Sequence, residues 1–256
     1  MKINFDKFYT PLAVAKKCIE GVDDLAEYDL IVEPSAGGGA FSSQLDCLAY
    51  DIQPEADGIE KKDFFSVDKV NGKHILFIGN PPFGSRSKLA KDFISHAIEL
   101  GAETVAFVLP NTFNKYLMQK VFPKEWKLKK IIPLDCDYSA NGVKYFVPSS
   151  FFIWTKKECI DLRKEKPKKI KDFVFLNREN PDADFCINGG NGKIKKPSEV
   201  TNTHAEHYVK ACMDKQTLID RLENMKWKWY SSINGGLSWV SRYDIEEQYG
   251  EKYPQY

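Results

Sequence analysis

The chain has 256 residues, 37 Lys and Arg against 36 Asp and Glu, and a formal net charge of +1, with 13% aromatic residues and no low-complexity tract. This suits a globular protein of one sizeable domain, or one domain with an appendage. No apolar run approaches membrane-spanning length, the N-terminus lacks a signal peptide's apolar core, and six scattered cysteines include no Cys-x-x-Cys pair; a membrane protein, a disulfide framework and a zinc site are disfavoured, and a cytoplasmic location is expected.

In chain order, Phe8-Tyr9-Thr10-Pro11 opens a helix, with Thr10 as N-cap and Pro11 at the first helical position. Asp29 to Glu33 reads as a buried strand ending in the glycine-rich turn Pro34-Ser35-Ala36-Gly37-Gly38-Gly39-Ala40-Phe41. The next strand, Cys47 to Asp51, follows so closely that the intervening helix must be very short or partly 3₁₀. Lys61 to Phe65 reads as a third strand end or a loop. The run His74 to Gly79 is a buried strand closed by Asn80-Pro81-Pro82-Phe83. Asn80 precedes proline and is pushed towards extended backbone; the two prolines fix the next φ angles and remove two N–H donors. The result is a stiff turn at the end of a strand where open α/β sheets bind ligands.

Residues 86–100 show helical periodicity, Thr104 to Pro110 is a further buried strand, and Asn111 can cap a helix running to about Phe122. Residues 128–135 and 144–156 read as strands with Asn141-Gly142 as the turn signal. The alternation predicts an α/β fold, with a mostly parallel sheet and an antiparallel edge hairpin. Past a charged stretch at 156–171, Phe173 to Leu176 and Asp184 to Ile187 read as short strands and 214–226 as a helix.

Glycines after a strand, followed by an acid at the next strand end, form a nucleoside-binding arrangement. The backbone can approach the ligand closely, and the acid accepts from ribose hydroxyls. No Walker-type Lys-Ser/Thr follows, which disfavours a nucleoside triphosphate. In order along the chain, Phe8-Tyr9-Thr10-Pro11, Glu33 to Phe41, Asp51, Asp63-Phe64 and Asn80-Pro81-Pro82-Phe83 resemble S-adenosylmethionine-dependent amino methyltransferases, and most closely the adenine-N6 methyltransferases of DNA. The resemblance covers roughly residues 5–157 and implies a Rossmann-like class I methyltransferase sheet, with a small C-terminal α+β region beyond it.

For the residues, the resemblance implies that Tyr9, Thr10 and Pro11 lie near the methionine part of S-adenosylmethionine, with Glu33, Pro34, Ser35, Ala36, Gly37, Gly39 and Phe41 in the turn around it. Asp51, beside Ile52, would bind the ribose; Asp63 would accept from the adenine amine, with Phe64 against the ring. At the Asn80 turn, the Asn80 side-chain oxygen and the Pro81 carbonyl would accept the two hydrogens of the target amine. Catalysis would rest on positioning and electrostatics. Pro82 stiffens the turn. Phe83 would stack on a base flipped out or already unpaired, and Tyr145 or Phe146 would cover its other face. The same chemistry on RNA adenine or a protein glutamine amide stays open, as does a non-catalytic nucleic-acid-binding module. Asn-Pro-Pro-Tyr is the usual form in the glutamine enzymes, so Phe83 leans away from them.

Charge is unevenly spread. Residues 1–114 carry 11 basic against 17 acidic side chains, 115–171 carry 15 against 6, and 172–256 carry 11 against 13. A basic middle fits nucleic acid, and the resemblance implies DNA in first place. The expected division is a catalytic domain at 1–157, a basic connector at 158–171 and a small target-recognition region at 172–256. Lys164, Lys166, Lys168 and Lys169 would grip the substrate backbone. His204 and His207 lack an evident third ligand, so no metal is expected. Trp227-Lys228-Trp229-Tyr230 is read as packing of a small domain in preference to a single-strand binder.

Overall fold

The computed structural model describes residues 9–135, 137–140, 143–227 and 239–254. They divide into two compact units, residues 1–113 with 118–163 and residues 114–117 with 164–256.

The first unit is a Rossmann-like α/β domain built on a seven-stranded sheet. Its strands are β1 (Leu30–Glu33), β2 (Leu48–Asp51), β3 (Glu60–Lys61), β4 (Ile75–Gly79), β5 (Thr104–Pro110), β6 (Lys127–Leu134) and β9 (Ser149–Thr155), in the order β3-β2-β1-β4-β5-β9-β6. The first five are mutually parallel; β9 runs antiparallel to both β5 and β6. Every residue of β4, β5 and β9 is buried, which is why these strands read as continuous apolar runs. From β1 the chain turns one way to β2 and β3 and the other way to β4 and β5. The topological switch point therefore lies between the C-terminal ends of β1 and β4.

The β1–β2 crossover contains only a 3₁₀ turn, Ser42–Gln44, as the short spacing requires. Helix α1 is Leu12–Glu20 and α2 is Lys88–Glu99, the latter preceded by a 3₁₀ turn at Ser85–Ser87. Of the periodic residues Leu89, Phe93, Ala97 and Leu100, Phe93 and Ala97 are buried and Leu89 and Leu100 partly so; Ala90 and Ile94 complete the inward face of α2.

Three local readings change. Thr10 does not cap α1: Pro11 is the N-cap, its carbonyl accepting from Val14 and Ala15 N–H at 2.9 and 3.0 Å. The helix expected from Asn111 breaks into a 3₁₀ turn, Asn111–Asn114, and the short α3, Tyr116–Gln119. The buried Gln119 side chain donates to the Phe113 carbonyl at 3.1 Å, an acceptor that an uninterrupted helix would give to Leu117 N–H. The strand expected at 144–156 is interrupted at Val147-Pro148. It divides into β8 (Val143–Phe146), paired with β7 (Asp137–Ala140) in a separate ribbon, and β9. Asn141-Gly142 lies outside the described residues.

The second unit is α+β. Strands β10 (Phe173–Phe175), β11 (Phe185–Asn188), β12 (Ile194–Lys195) and β13 (Glu206–Ala211) form an antiparallel sheet in the order β10-β13-β11-β12. With α4 (Lys215–Glu223) and α5 (Arg242–Lys252) they enclose a core that includes Phe173, Ile187, Val209, Leu218, Ile245 and Tyr249. Ser241 and Asp244 form a capping box at the start of α5, and Lys115 Nζ donates to Asp244 Oδ2 at 3.2 Å.

The stretch 158–171 is shared between the units. Asp161 and Arg163 are anchored in the first, Arg163 donating to the carbonyls of Phe122, Pro123 and Trp126. Ile170 belongs to the core of the second. Among the described residues, no helix is long and apolar enough to cross a membrane.

Candidate active site

At the switch point of the first unit lies a cavity of about 680 Å³, within the size range of small-molecule sites. Its walls come from the segments that sequence reasoning singled out. Tyr9 and Thr10, Glu33 to Gly37, Phe41, Asp51, Ile52, Asp63, Phe64 and Asn80 to Phe83 all line it. Pro11 and Gly39 do not; Gly39 faces Ala56 and Ser42, where a Cβ would come to 3.3 and 3.4 Å.

The glycine turn is held from below by Asp51. Its Oδ2 accepts from Gly37 N–H at 2.7 Å and its Oδ1 from Gln53 N–H at 2.7 Å. Gly37 has φ +50°, and a Cβ there would rest 3.8 Å from the Tyr9 ring and 3.9 Å from Asp51 Oδ2. A side chain would thus be strained and would fill the cradle between them. Tyr9 closes this end, its hydroxyl donating to Glu55 Oε1 at 2.5 Å, and burial together with Glu55 pushes its phenol up to about 12.

Glu33, at the end of β1, is 2% exposed, and its Oε2 accepts from Ser42 N–H at 2.8 Å. Burial, with a smaller contribution from the Asp51 charge, pushes its carboxyl up to about 8, against the pull of its bonds from Ser42. Gly79 makes room for it: a Cβ there would lie 3.3 Å from Glu33 Cγ, at φ +148°. The cavity floor therefore carries a carboxyl whose charged form burial disfavours.

Next to Gly79, Asn80 is gripped from two segments distant in sequence. Its Nδ2 donates to Thr10 Oγ1 at 3.0 Å, and its carbonyl accepts from Ser35 Oγ at 3.3 Å. Phe83 is 7% exposed and belongs to the core as well as to the cavity lining, so it has little free face. Asp63 caps the 3₁₀ turn Phe64–Ser66, its Oδ1 accepting from Phe65 N–H at 3.0 Å. Phe64 is 2% exposed, stacking on Phe93 and meeting His96 edge-on. Its neighbour Phe65 is 41% exposed and also lines the cavity, so the accessible ring of the pair is Phe65. Sequence reasoning also missed Leu12, Lys62, Leu89 and Phe93 in the lining. The buried Phe93 was legible as the inward face of α2; Lys62 carried no signal beyond standing next to Asp63.

The remaining predicted residues lie elsewhere. Tyr145 and Phe146 fall in β8, and their side chains lie outside the described residues. Lys164, Lys166, Lys168 and Lys169 belong to the second unit. Lys164 pairs with Glu247, Lys166 Nζ lies 5.9 Å from the Tyr243 ring centre, and Lys168 and Lys169 are exposed. Much of the basic middle of the chain is paired: Lys127 with Glu158, Lys129 and Lys130 with Asp23, and Lys157 with Glu27 and Glu103. His207 is buried with Nε2 2.7 Å from the Val240 carbonyl, and burial pushes its pKa down; His204 is exposed beside Arg178. Trp227 is buried, its Nε1 donating to the Leu222 carbonyl at 2.7 Å; Lys228, Trp229 and Tyr230 lie outside the described residues.

The class defined by fold and site is a Rossmann-like α/β domain with a cavity at its switch point. No protein-family model and no curated protein matches the chain. Among solved structures, it is similar to a Pyrococcus horikoshii protein provisionally described as an RNA methyltransferase, at 15% identity and a TM-score of 0.47, over 61% of this chain and 89% of that one.

Proposed function

We propose that the chain transfers a methyl group from S-adenosylmethionine to the N6 amino group of adenine in DNA, acting on a base that is flipped out or already unpaired. The observation that carries this reading is the convergence of the glycine turn, Asp51 and Asn80-Pro81-Pro82-Phe83 on one cavity of about 680 Å³.

The lining suits the cofactor. Gly37 leaves an open cradle, Asp51 offers a carboxylate to ribose hydroxyls, and Ile52 and Phe65 are exposed apolar surfaces for a purine ring. S-adenosylmethionine supplies, when bound, an electrophilic methyl group on a sulfonium, so no strong general acid is required of the protein. The target amine is a poor nucleophile because its lone pair is delocalised into the ring. The Asn80 side-chain oxygen and the Pro81 carbonyl accept its two hydrogens and favour a pyramidal nitrogen. The prolines hold those acceptors rigid, so little reorganisation accompanies reaction. Phe83 contributes an edge to the base site and packs the turn against the core. The exposed Lys168 and Lys169 contact the phosphate backbone.

Tritiated methyl transfer to separate DNA, RNA and protein pools, followed by nucleoside and amino-acid analysis, tests the reading. Label is expected in N6-methyladenine from DNA. Label in RNA adenine or in glutamine would move the substrate. Label in no pool, with no rise in melting temperature on adding cofactor, would favour a non-catalytic binding module.

A further inference from the structure

Thr10 sits where its side chain would ordinarily cap a helix, yet the first-turn N–H groups of Val14 and Ala15 go to the Pro11 carbonyl. The Thr10 hydroxyl is instead committed across 70 positions of sequence to Asn80 Nδ2, at 3.0 Å. The backbone of Asn80 is already restrained by the prolines after it and by Ser35, whose hydroxyl donates to its carbonyl at 3.3 Å. The side-chain amide has a terminal torsion with an intrinsically broad, roughly two-fold profile, so its orientation depends on its hydrogen bonds. Thr10 is well suited to fix it: β-branching stiffens its χ1, and the following Pro11 restricts its backbone. The preceding Tyr9 is tied to Glu55 at 2.5 Å, with its ring over the glycine turn.

We propose that Thr10 is a positioning residue for Asn80, its hydroxyl holding the amide in the orientation from which Asn80 accepts from the target amine. The proposal rests on the methyl-transfer reading of the cavity. Thr10 here serves the acceptor and not the cofactor, which separates its role from that of Tyr9 beside it. Thr10→Val keeps the branched shape and removes only the hydroxyl; Thr10→Ser keeps the hydroxyl.

Two measurements decide it. In steady-state methyl transfer, Thr10→Val should lower kcat ten- to a hundredfold, on the order of the cost of misplacing a reacting group. The cofactor dissociation constant should stay within about twofold of wild type, and Thr10→Ser should recover most of the rate. In nitrogen-15 NMR, with the Asn80 side-chain signal assigned through its loss in Asn80→Asp, Thr10→Val should lower the exchange protection of the Nδ2 proton directed at Thr10 and Thr10→Ser should keep it. Wild-type kcat in Thr10→Val, unchanged protection, or failure of Thr10→Ser to restore the rate would overturn the proposal. A wild-type chain that methylates nothing would overturn the function reading, and the exchange comparison alone would then decide whether Thr10 holds the Asn80 amide.

Discussion

Asp51 Oδ2 accepts from the backbone N–H of Gly37 at 2.7 Å, so the acid assigned to the ribose also holds the loop that would embrace the cofactor. Its other oxygen accepts from Gln53 N–H at 2.7 Å. Asp51→Ala therefore removes a ribose acceptor and frees the glycine turn together. Cofactor binding should weaken on the order of ten- to a hundredfold, the range for losing hydrogen bonds to a charged group. Asp51→Asn, which keeps one acceptor oxygen, should fall between. Titration calorimetry on both variants checks this; an unchanged dissociation constant in a folded Asp51→Ala protein would place the ribose contact on another residue.

Asn80→Ala leaves the glycine turn, Asp51 and the aromatic wall in place and removes the side-chain acceptor. Turnover should drop on the order of a hundredfold or more, as for loss of one donor or acceptor aimed at developing charge, while cofactor affinity changes little. Single-turnover kinetics separates the two effects. Near-normal turnover on the true substrate would sink the assignment of Asn80.

Glu33 makes the stability of the fold pH-dependent. Its carboxyl titrates near 4.5 in the unfolded chain, and burial pushes it up to about 8 in the folded one. Below 4.5 both states hold the proton and the contribution is fully present. As pH rises towards 8 the unfolded state loses its proton first, so stability falls across that window, by up to about 1.4 kcal/mol per pH unit. Glu33→Gln removes the titration while its amide oxygen can still accept from Ser42 N–H. Urea unfolding of the cofactor-free protein across this range should show a flatter decline for Glu33→Gln; parallel curves for both proteins would show that Glu33 ionises freely in the folded state.

The strands that build the site were legible because burial on both faces leaves continuous apolar runs, as in His74 to Gly79, stopped by Asn80-Pro81-Pro82. The short β1–β2 link was legible from chain length alone. Thr10 was not, because a sequence shows the local alternative, a helix cap, and hides a partner as distant as Asn80. Strand β13 was hidden for a related reason: Glu206 and His207 look solvent-bound, yet both are buried, Glu206 receiving Lys195 and Asn188 and His207 facing the Val240 carbonyl. Helix α5 is too polar to show an apolar stripe, and its one readable mark was the Ser241-x-x-Asp244 capping box.

The lysines expected to grip the substrate are not equivalent. Lys164 is committed to Glu247, a side chain only 16% exposed, and Lys166 lies over the Tyr243 ring. Substituting either disturbs packing within the second unit as well as removing charge. Lys168 and Lys169 are exposed, and the double change Lys168→Ala with Lys169→Ala is the cleaner test. If both meet phosphates, releasing about two counterions fewer should reduce the salt dependence of duplex binding by a slope of roughly 1 to 2, and weaken binding across sequences alike. Cofactor affinity should not move, since the described residues that line the cavity all belong to the first unit. Lys164→Ala should instead lower the melting temperature, by loss of its pair with Glu247. Fluorescence anisotropy with a labelled duplex over a salt series measures the slope. An unchanged slope in the double variant would make these lysines ordinary surface charges. Lys124, exposed where Lys127, Lys129 and Lys130 are all paired with acids, would then be the cation to substitute next.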